Sequence, residues 1–358
     1  MRKFSTKQMT TDAVLAAVCA VLGAFGPDLG NLKITFEGLP VIVAALLFGP
    51  LDGGIVGGIG TLLYQVLRYG VTATTALWIL PYVLCGALVG RIGERFDPEK
   101  DRARLFGAVA AGEGLIFLLN TLVLYIDSKI YGYYSAAFVF GSIPVRAGIC
   151  AAKALLYTAV LPALFQALRR GGAPDRKSVQ RDRAKAARQG LGPEERDRAS
   201  AAICRRLREL PQVRSAGTVL SYLALPDEVD LSALHEELRA RGVRLCFPVS
   251  LSGGVLEAWE PGGLVRGRYG IREPDRKTSR PVDPGEIDLV LVPCVAFDAD
   301  CSRLGHGAGY YDRYLPRTGA AAIAVAFEAQ KLRKVATDDF DVPVDAVVTE
   351  KELYRKRA

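Results

Sequence analysis

The sequence predicts a multi-domain chain: a six-helix α-helical transmembrane domain over residues 1–170, a linker at 171–176, and a soluble α/β domain with a largely parallel sheet over 177–358. Three observations predict it. Runs of Ala, Val, Leu, Ile, Gly and aromatic residues fill the chain up to Arg170, whereas charged residues recur every few positions from Gly171 onward. Six charge-poor segments fall in the first part. In the second, apolar strand-like runs alternate with helical patterns, as in α/β domains.

Composition narrows the function classes. Lys and Arg number 15 against 10 Asp and Glu over the first 170 residues and 31 against 28 over the remainder, so both parts are mildly basic. No Lys/Arg stripe interleaved with aromatics accompanies this excess, which argues against nucleic acid as a partner. The seven cysteines include no CxxC spacing, against a disulfide framework or structural zinc, and with only His235 and His306 a multi-histidine metal site is excluded for a single chain. No Gly-Lys dipeptide occurs, so the usual Walker A phosphate loop is absent.

The six apolar segments are Thr11 to Phe25, Gly38 to Phe48, Leu51 to Leu67, Thr74 to Val89, Leu105 to Ile126 and Ile143 to Leu168. Several fall short of the roughly 20 residues that cross a bilayer core. Met1-Arg2-Lys3 before the first run has the look of a signal peptide, but five further apolar segments follow, against cleavage. Arg2, Lys3 and Lys7 precede the first segment; Arg91, Arg95, Lys100, Arg102 and Arg104 lie between the fourth and fifth; Arg169 and Arg170 follow the sixth. With six spans all three groups share one side, which the positive-inside rule makes cytoplasmic, together with both termini and the soluble part. On the first segment Ala13 and Ala17, Ala16 and Ala20, and Ala20 and Ala24 form a small-residue stripe for close helix packing, within the chain or with a partner. Lys33, Arg68 and Arg146 near the outer ends either snorkel or pair with an anionic solute.

"ITFEGLPVIVAALLFGPLDGGIVGGIGTLLYQVL", "LPYVLCGALVGRI" and the late "LNTLVLYIDSKIYGYY" followed by "IPVRAGICAAKALLYTAVLP" resemble the S component of an energy-coupling factor (ECF) vitamin transporter, in particular its folate-specific branch. The resemblance implies a plasma-membrane, multi-pass protein that captures a vitamin at its outer face. It also implies work with a transmembrane coupling subunit, for which the alanine stripe is the contact, and with two ATPase subunits. Lys33, Arg68 and Arg146 are the candidate ligand residues of this part.

In the second part, Gly171-Gly172-Ala173-Pro174 breaks the last helix, a basic helix starts near Arg176, and a second has Pro193 near its start. "AGTVLSYLAL", "VRLCFPV", "IDLVLVPCVAF", "AAIAVAF" and "DAVVTE" read as strands. Ligands of such sheets bind in loops beyond the strand ends. The loop "RLGHGAGYYDRY", Arg303 to Tyr314, stands in that position. Gly305, Gly307 and Gly309 allow close backbone approach and an anion nest, and Asp312 offers a hard oxygen ligand for Mg2+; the alternative is a tight turn with a tyrosine corner.

"RLGHGAGYYDRYL" is similar to the signature loop of 5-formyltetrahydrofolate cyclo-ligase, also called methenyltetrahydrofolate synthetase. "KSVQR", "YLALPDEVD", "YGIREP", "VLVPCVAFD" and "VDAVVTE" match family strings in order. The resemblance implies that Lys177 and Arg181 hold ATP phosphates together with Arg303, Leu304, Gly305, His306, Gly307, Ala308, Gly309, Tyr310 and Tyr311. It further implies that Leu223, Glu228, His306 and Tyr310 contact the folate and that Asp312 ligates Mg2+, with no protein nucleophile. On the residues alone, Lys177 and Arg181 are equally a solvated helix face and Glu228 a helix-start carboxylate. Ala308, Cys301 and Gln180 depart from the family pattern, and alanine at a positive φ would strain the loop by about 1 kcal/mol. Together the two resemblances imply a folate importer joined to an enzyme acting on 5-formyltetrahydrofolate.

Overall fold

The computed structural model describes residues 6–26, 34–267 and 270–356. The chain divides into two compact units, Lys3–Arg176 and Lys177–Ala358.

The first unit is helical: α1 (Thr6–Ala24), α2 (Gly38–Phe48), α3 (Pro50–Tyr69), α4 (Thr75–Gly93), α5 (Arg102–Ile130), the short α6 (Ala136–Phe140) and α7 (Ile143–Arg170). Among the described residues, three stretches are long and apolar enough to cross a membrane: Thr75–Gly93, Arg102–Ile130 and Ala136–Arg170. The expected six spans are therefore not all supported. α2 has 11 residues, too few to span a bilayer core at 1.5 Å per residue, although its residues from Val41 to Phe48 are all buried. Close packing is set by glycine: a Cβ on Gly86 of α4 would collide with the Gly53 backbone of α3, so these helices meet backbone to backbone. The alanine stripe splits in two. Ala16 and Ala20 are buried, with the Ala16 carbonyl facing Gly60 of α3, while Ala13 and Ala17 point outward.

The second unit opens with α8 (Arg176–Gln189), α9 (Pro193–Glu209) and α10 (Pro211–Ser215), then β1 (Thr218–Leu220), α11 (Ser232–Ala240), β2 (Arg244–Ser250) and β3 (Leu256–Glu260). It continues through β4 (Leu264–Arg266), β5 (Arg272–Pro274), β6 (Arg280–Val282), β7 (Leu289–Pro293), β8 (Ala296–Phe297) and β9 (Arg303–Leu304). α12 (Tyr310–Tyr314), β10 (Ala321–Val325), β11 (Ala346–Val348) and β12 (Leu353–Arg355) complete it. Pro193 takes the first turn of α9, where its missing N–H costs nothing.

The main sheet has the order β12-β11-β10-β7-β1-β2-β3-β6. It is mixed, not largely parallel. β11, β10, β7, β1 and β2 pair in parallel, and β12, β3 and β6 join antiparallel at the two edges. The parallel strands are the apolar runs, buried on both faces. Val219, Leu289, Leu291, Ile323 and Val325 pack with Ile203, Leu207, Leu234 and Leu238 of α9 and α11 on one face; Leu220, Val290, Val292, Ala324 and Val347 pack with Tyr314 and Leu315 on the other. Each fully buried Leu or Ile contributes about 1.5–3 kcal/mol by leaving water. The antiparallel edge strands are short and partly exposed, so no apolar run announces them.

Candidate functional sites

In the second unit β1 and β7 run parallel, so the segments leaving their carboxyl ends emerge on one edge of the sheet. Ser221 to Val229 leaves β1, and the stretch leaving β7 leads to the loop after β9. α8 closes this edge, its Ala184 packing with Val295, Ala296, Leu304 and Val335. The Gln180 amide fixes it further, donating to the Lys334 carbonyl and accepting from Ala336 N–H, both at 2.9 Å, so this polar departure from the family pattern is fully used.

Lys177, Arg181 and Arg188 are spaced four and seven apart and fall on one face of α8. Lys177 Nζ contacts Asp338 Oδ2 at 2.7 Å and also Asp341. Arg181 Nε donates to the Gly305 carbonyl at 3.0 Å, and its guanidinium lies beside Gly307. Arg188, almost fully buried, donates to Asp227 Oδ2 at 2.7 and 3.1 Å and faces Glu228 Oε1 at 3.6 Å. Glu228 in turn accepts from Leu225 N–H at 3.1 Å and contacts His306 Nε2 at 3.1 Å. Arg181, Arg188, Glu228 and His306 are thus brought together, with Lys177 on the same α8 face but paired with Asp338 and Asp341.

Other expectations shift. Glu228 is not the helix-start carboxylate of α11; Asp230 takes that role, accepting from Ser232 N–H at 2.9 Å. Arg303 is buried beneath the loop with Nη2 on Asp312 Oδ1 at 3.0 Å, so it braces the loop from inside. Asp312 Oδ1 also accepts from Val342 N–H at 3.2 Å, and a metal there would share the carboxylate with a guanidinium. The Leu304 side chain lies in the core, leaving only its backbone for a ligand. Tyr311 OH is buried and burial, with Glu228 nearby, pushes its pKa up, so the phenol stays neutral. Tyr310 OH donates to the Leu251 carbonyl at 3.3 Å, and Arg313 ties Gly254 and Ala308 carbonyls together. Leu223 packs at the margin of the core. Gly307 and Gly309 have φ of +109° and +67°, whereas Gly305 and Ala308 are not in that region. The strain expected at Ala308 falls instead on Cys301, a buried residue at φ +63° whose thiol burial pushes up to about 11.

The first unit holds a cavity of about 500 Å3. Glu37, Tyr82, Glu113, Lys153, Asp127 and Arg146 are among its polar lining, with Tyr64, Tyr69, Trp78 and Phe117 as aromatic walls. Lys153 Nζ pairs with buried Glu113 Oε2 at 2.7 Å, Tyr82 donates to buried Glu37, and Asp127 gathers Thr74, Trp78 Nε1 at 3.3 Å and Tyr133. Of the three expected ligand residues, Arg146 lines the cavity, Arg68 does not, and Lys33 lies outside the described residues. Glu113 and Lys153 stand within α5 and α7, not near the segment ends where Lys33, Arg68 and Arg146 lie. A charge in mid-span, as in "AGEGL" and "AAKAL", is the stronger pointer.

Residues 173–350 match the model of the 5-formyltetrahydrofolate cyclo-ligase family. The 5-formyltetrahydrofolate cyclo-ligase of Escherichia coli K12 is 30% identical over 175 residues, covering 47% of this chain and 96% of that protein. The chain belongs to the 5-formyltetrahydrofolate cyclo-ligase family. Residues 7–172 match the model of the ECF transporter substrate-specific component. Among solved structures, the NMR structure of Aquifex aeolicus 5,10-methenyltetrahydrofolate synthetase is 35% identical, covering 51% of this chain and 93% of that one, with TM-score 0.46. A crystal structure of FolT bound with folic acid is 22% identical, covering 43% and 91%, with TM-score 0.35. The cyclo-ligase domain is thus joined to a helical segment that matches the ECF substrate-specific component model.

Proposed function

We propose that the cyclo-ligase half converts 5-formyltetrahydrofolate and ATP to 5,10-methenyltetrahydrofolate, ADP and phosphate, while the helical half captures a folate in its cavity for ECF-type uptake. The observation that carries the enzyme half is the convergence of one α8 face on three loops: Arg181 reaches the glycine loop, Arg188 reaches Glu228, and Lys177 reaches Asp338 and Asp341. ATP phosphates lie against Lys177, Arg181 and the backbone N–H groups of Gly305 to Gly309, with Arg303 holding the loop from below. Leu223, Glu228, His306 and Tyr310 face the folate. The formyl oxygen attacks the terminal phosphate and N10 closes the ring, so positioning and phosphate neutralisation are the protein's main tasks. Among the described residues no group of three His, Cys, Asp or Glu side chains is placed to hold a metal. Asp312, which already accepts from Arg303, would offer a carboxylate oxygen to Mg2+ bound on the ATP phosphates, where the ion would neutralise phosphate charge.

Support for folate in the helical half is the fusion itself, together with the cavity's chemistry: aromatic walls for a planar ring, carboxylates for ring N–H donors and Arg146 for an anionic tail. The basic residues from Arg91 to Arg104 and at Arg169 and Arg170, next to the enzyme, support a cytoplasmic location for it. The outward face of α1 bearing Ala13 and Ala17 meets the coupling subunit, which acts with two ATPases. Incubation of the full chain with 5-formyltetrahydrofolate and ATP, followed by methenyl product and ADP in equal amounts, tests the enzyme reading; absence of ATP-dependent product sinks it. Uptake of labelled folate by cells holding the chain and the coupling subunits tests the transport reading. Uptake unchanged without the chain would remove it.

A further inference from the structure

The reaction leaves a proton to be moved. N10 of 5-formyltetrahydrofolate carries a hydrogen, and the methenyl product carries none there. An O–P bond forms as the bond to ADP breaks, then N10–C forms, and the C–O bond breaks with its electron pair going to phosphate. The N10 proton has to leave, and the departing phosphate can accept it. Nothing is oxidised or reduced.

We propose that His306 is the relay for this proton: its Nδ1 takes the proton as N10 bonds to carbon and gives it to the phosphate as the C–O bond breaks. The inference rests on the placement of folate beside Glu228 proposed above. His306 sits in the glycine loop that faces the phosphates, between Gly305, held by Arg181, and Gly307. Its Nε2 contacts Glu228 Oε1 at 3.1 Å, on the folate side. It is therefore in reach of both proton partners.

Glu228 suits the role of orienter. Its side chain is 9% exposed, its other oxygen accepts from Leu225 N–H, and Arg188 backs it, so the carboxylate is fixed as acceptor of the Nε2 hydrogen. That leaves the lone pair on Nδ1, the tautomer a base needs. The His306 side chain is 47% exposed and so reachable by a ligand. The charged groups around it are Glu228, Arg188 with its partner Asp227, and Arg181; none of these can both accept and release a proton at neutral pH as readily as an imidazole.

The test is the single-turnover rate of methenyl formation in the full chain, measured from pH 5 to 9. His306→Gln is expected to slow that step about 100-fold at saturating ATP and folate and to abolish the acid-side fall of the wild-type profile. In His306→Ala, added imidazole is expected to restore part of the lost rate. A His306→Gln rate within threefold of wild type, a retained acid-side fall, or no imidazole rescue would overturn the relay. Wild-type protein that makes no methenyl product would instead remove the cyclo-ligase reading on which the relay rests.

Discussion

Gly305, Gly307 and Gly309 look alike in sequence but are not equivalent in the fold, and alanine at each should separate them. Gly305 has no positive φ and no atom within 4 Å of an added Cβ, so alanine there adds neither strain nor clash. At Gly309, φ +67° puts alanine in the left-handed region at a cost of roughly 1–2 kcal/mol. Its Cβ would stand 3.1 Å from Arg313 Nη1, the far end of a flexible side chain that can yield. At Gly307, φ +109° lies beyond that basin and the cost rises to roughly 2–3 kcal/mol, while the nearest atom, Arg181 Cζ at 3.6 Å, is in ordinary contact. The penalty at 307 is thus torsional. Because His306 to Ala308 are exposed, the loop relieves it by moving, and the loss appears in ATP binding and not in unfolding. With tenfold per 1.4 kcal/mol, ATP affinity should fall about 30- to 150-fold for Gly307→Ala, about 5- to 30-fold for Gly309→Ala, and stay within about twofold for Gly305→Ala. Calorimetric titration of the full chain with a non-hydrolysable ATP analogue reads all three. Equal losses at 305 and 307, or none at 307, would refute the assignment of this backbone to phosphate.

Lys177→Ala should raise the KM for ATP at least about tenfold, while Asp341→Asn should lower it about two- to fivefold by removing a carboxylate that competes with phosphate for the same ammonium; steady-state kinetics check both signs. Asp312→Asn leaves the buried Arg303 with a neutral acceptor, and because Asp312 is itself 18% exposed the cost should be about 1–2 kcal/mol, a Tm drop of about 2–6 °C by calorimetry. His235 is 5% exposed, against Ser221 Oγ at 2.7 Å, and burial lowers its pKa from 6.5 to about 4. The unfolded chain therefore binds this proton first, so stability is full above pH 6.5 and lost as pH falls towards 4, by roughly 3 kcal/mol at most. Urea unfolding followed by Trp259 fluorescence in a Trp78→Phe background should show this loss, and His235→Phe should remove it.

What could be read beforehand followed from period and charge. The five parallel strands are continuous apolar runs buried on both faces, and the break at Gly171 marks a real change in solvent preference. The antiparallel edges left little trace because β6 and β12 have three residues each and the five-residue β3 carries two glutamates, too few apolar positions to show a period. Lys177, Arg181 and the glycine loop were legible, since one helix face and one motif held them. Arg188 was not, although its spacing of seven from Arg181 places it on the same face. Which glycines need positive φ, and that Cys301 and not Ala308 stands in that region, depend on how the loop closes on Arg181 and Asp298 and have no trace in composition. In the helical part, apolar length reveals helices but not which charges face inward, so nothing in it separates the cavity-lining Glu113–Lys153 pair from Arg68, which does not line the cavity.

The most direct test of the central claim is the number of 5-formyltetrahydrofolate molecules bound per full-length chain, titrated in detergent with a non-hydrolysable ATP analogue. A folate capture protein fused to a folate enzyme predicts two sites, one lost in Lys153→Met and the other in Glu228→Gln. A single site, lost only in Glu228→Gln, would contradict it and leave the membrane half serving a different ligand.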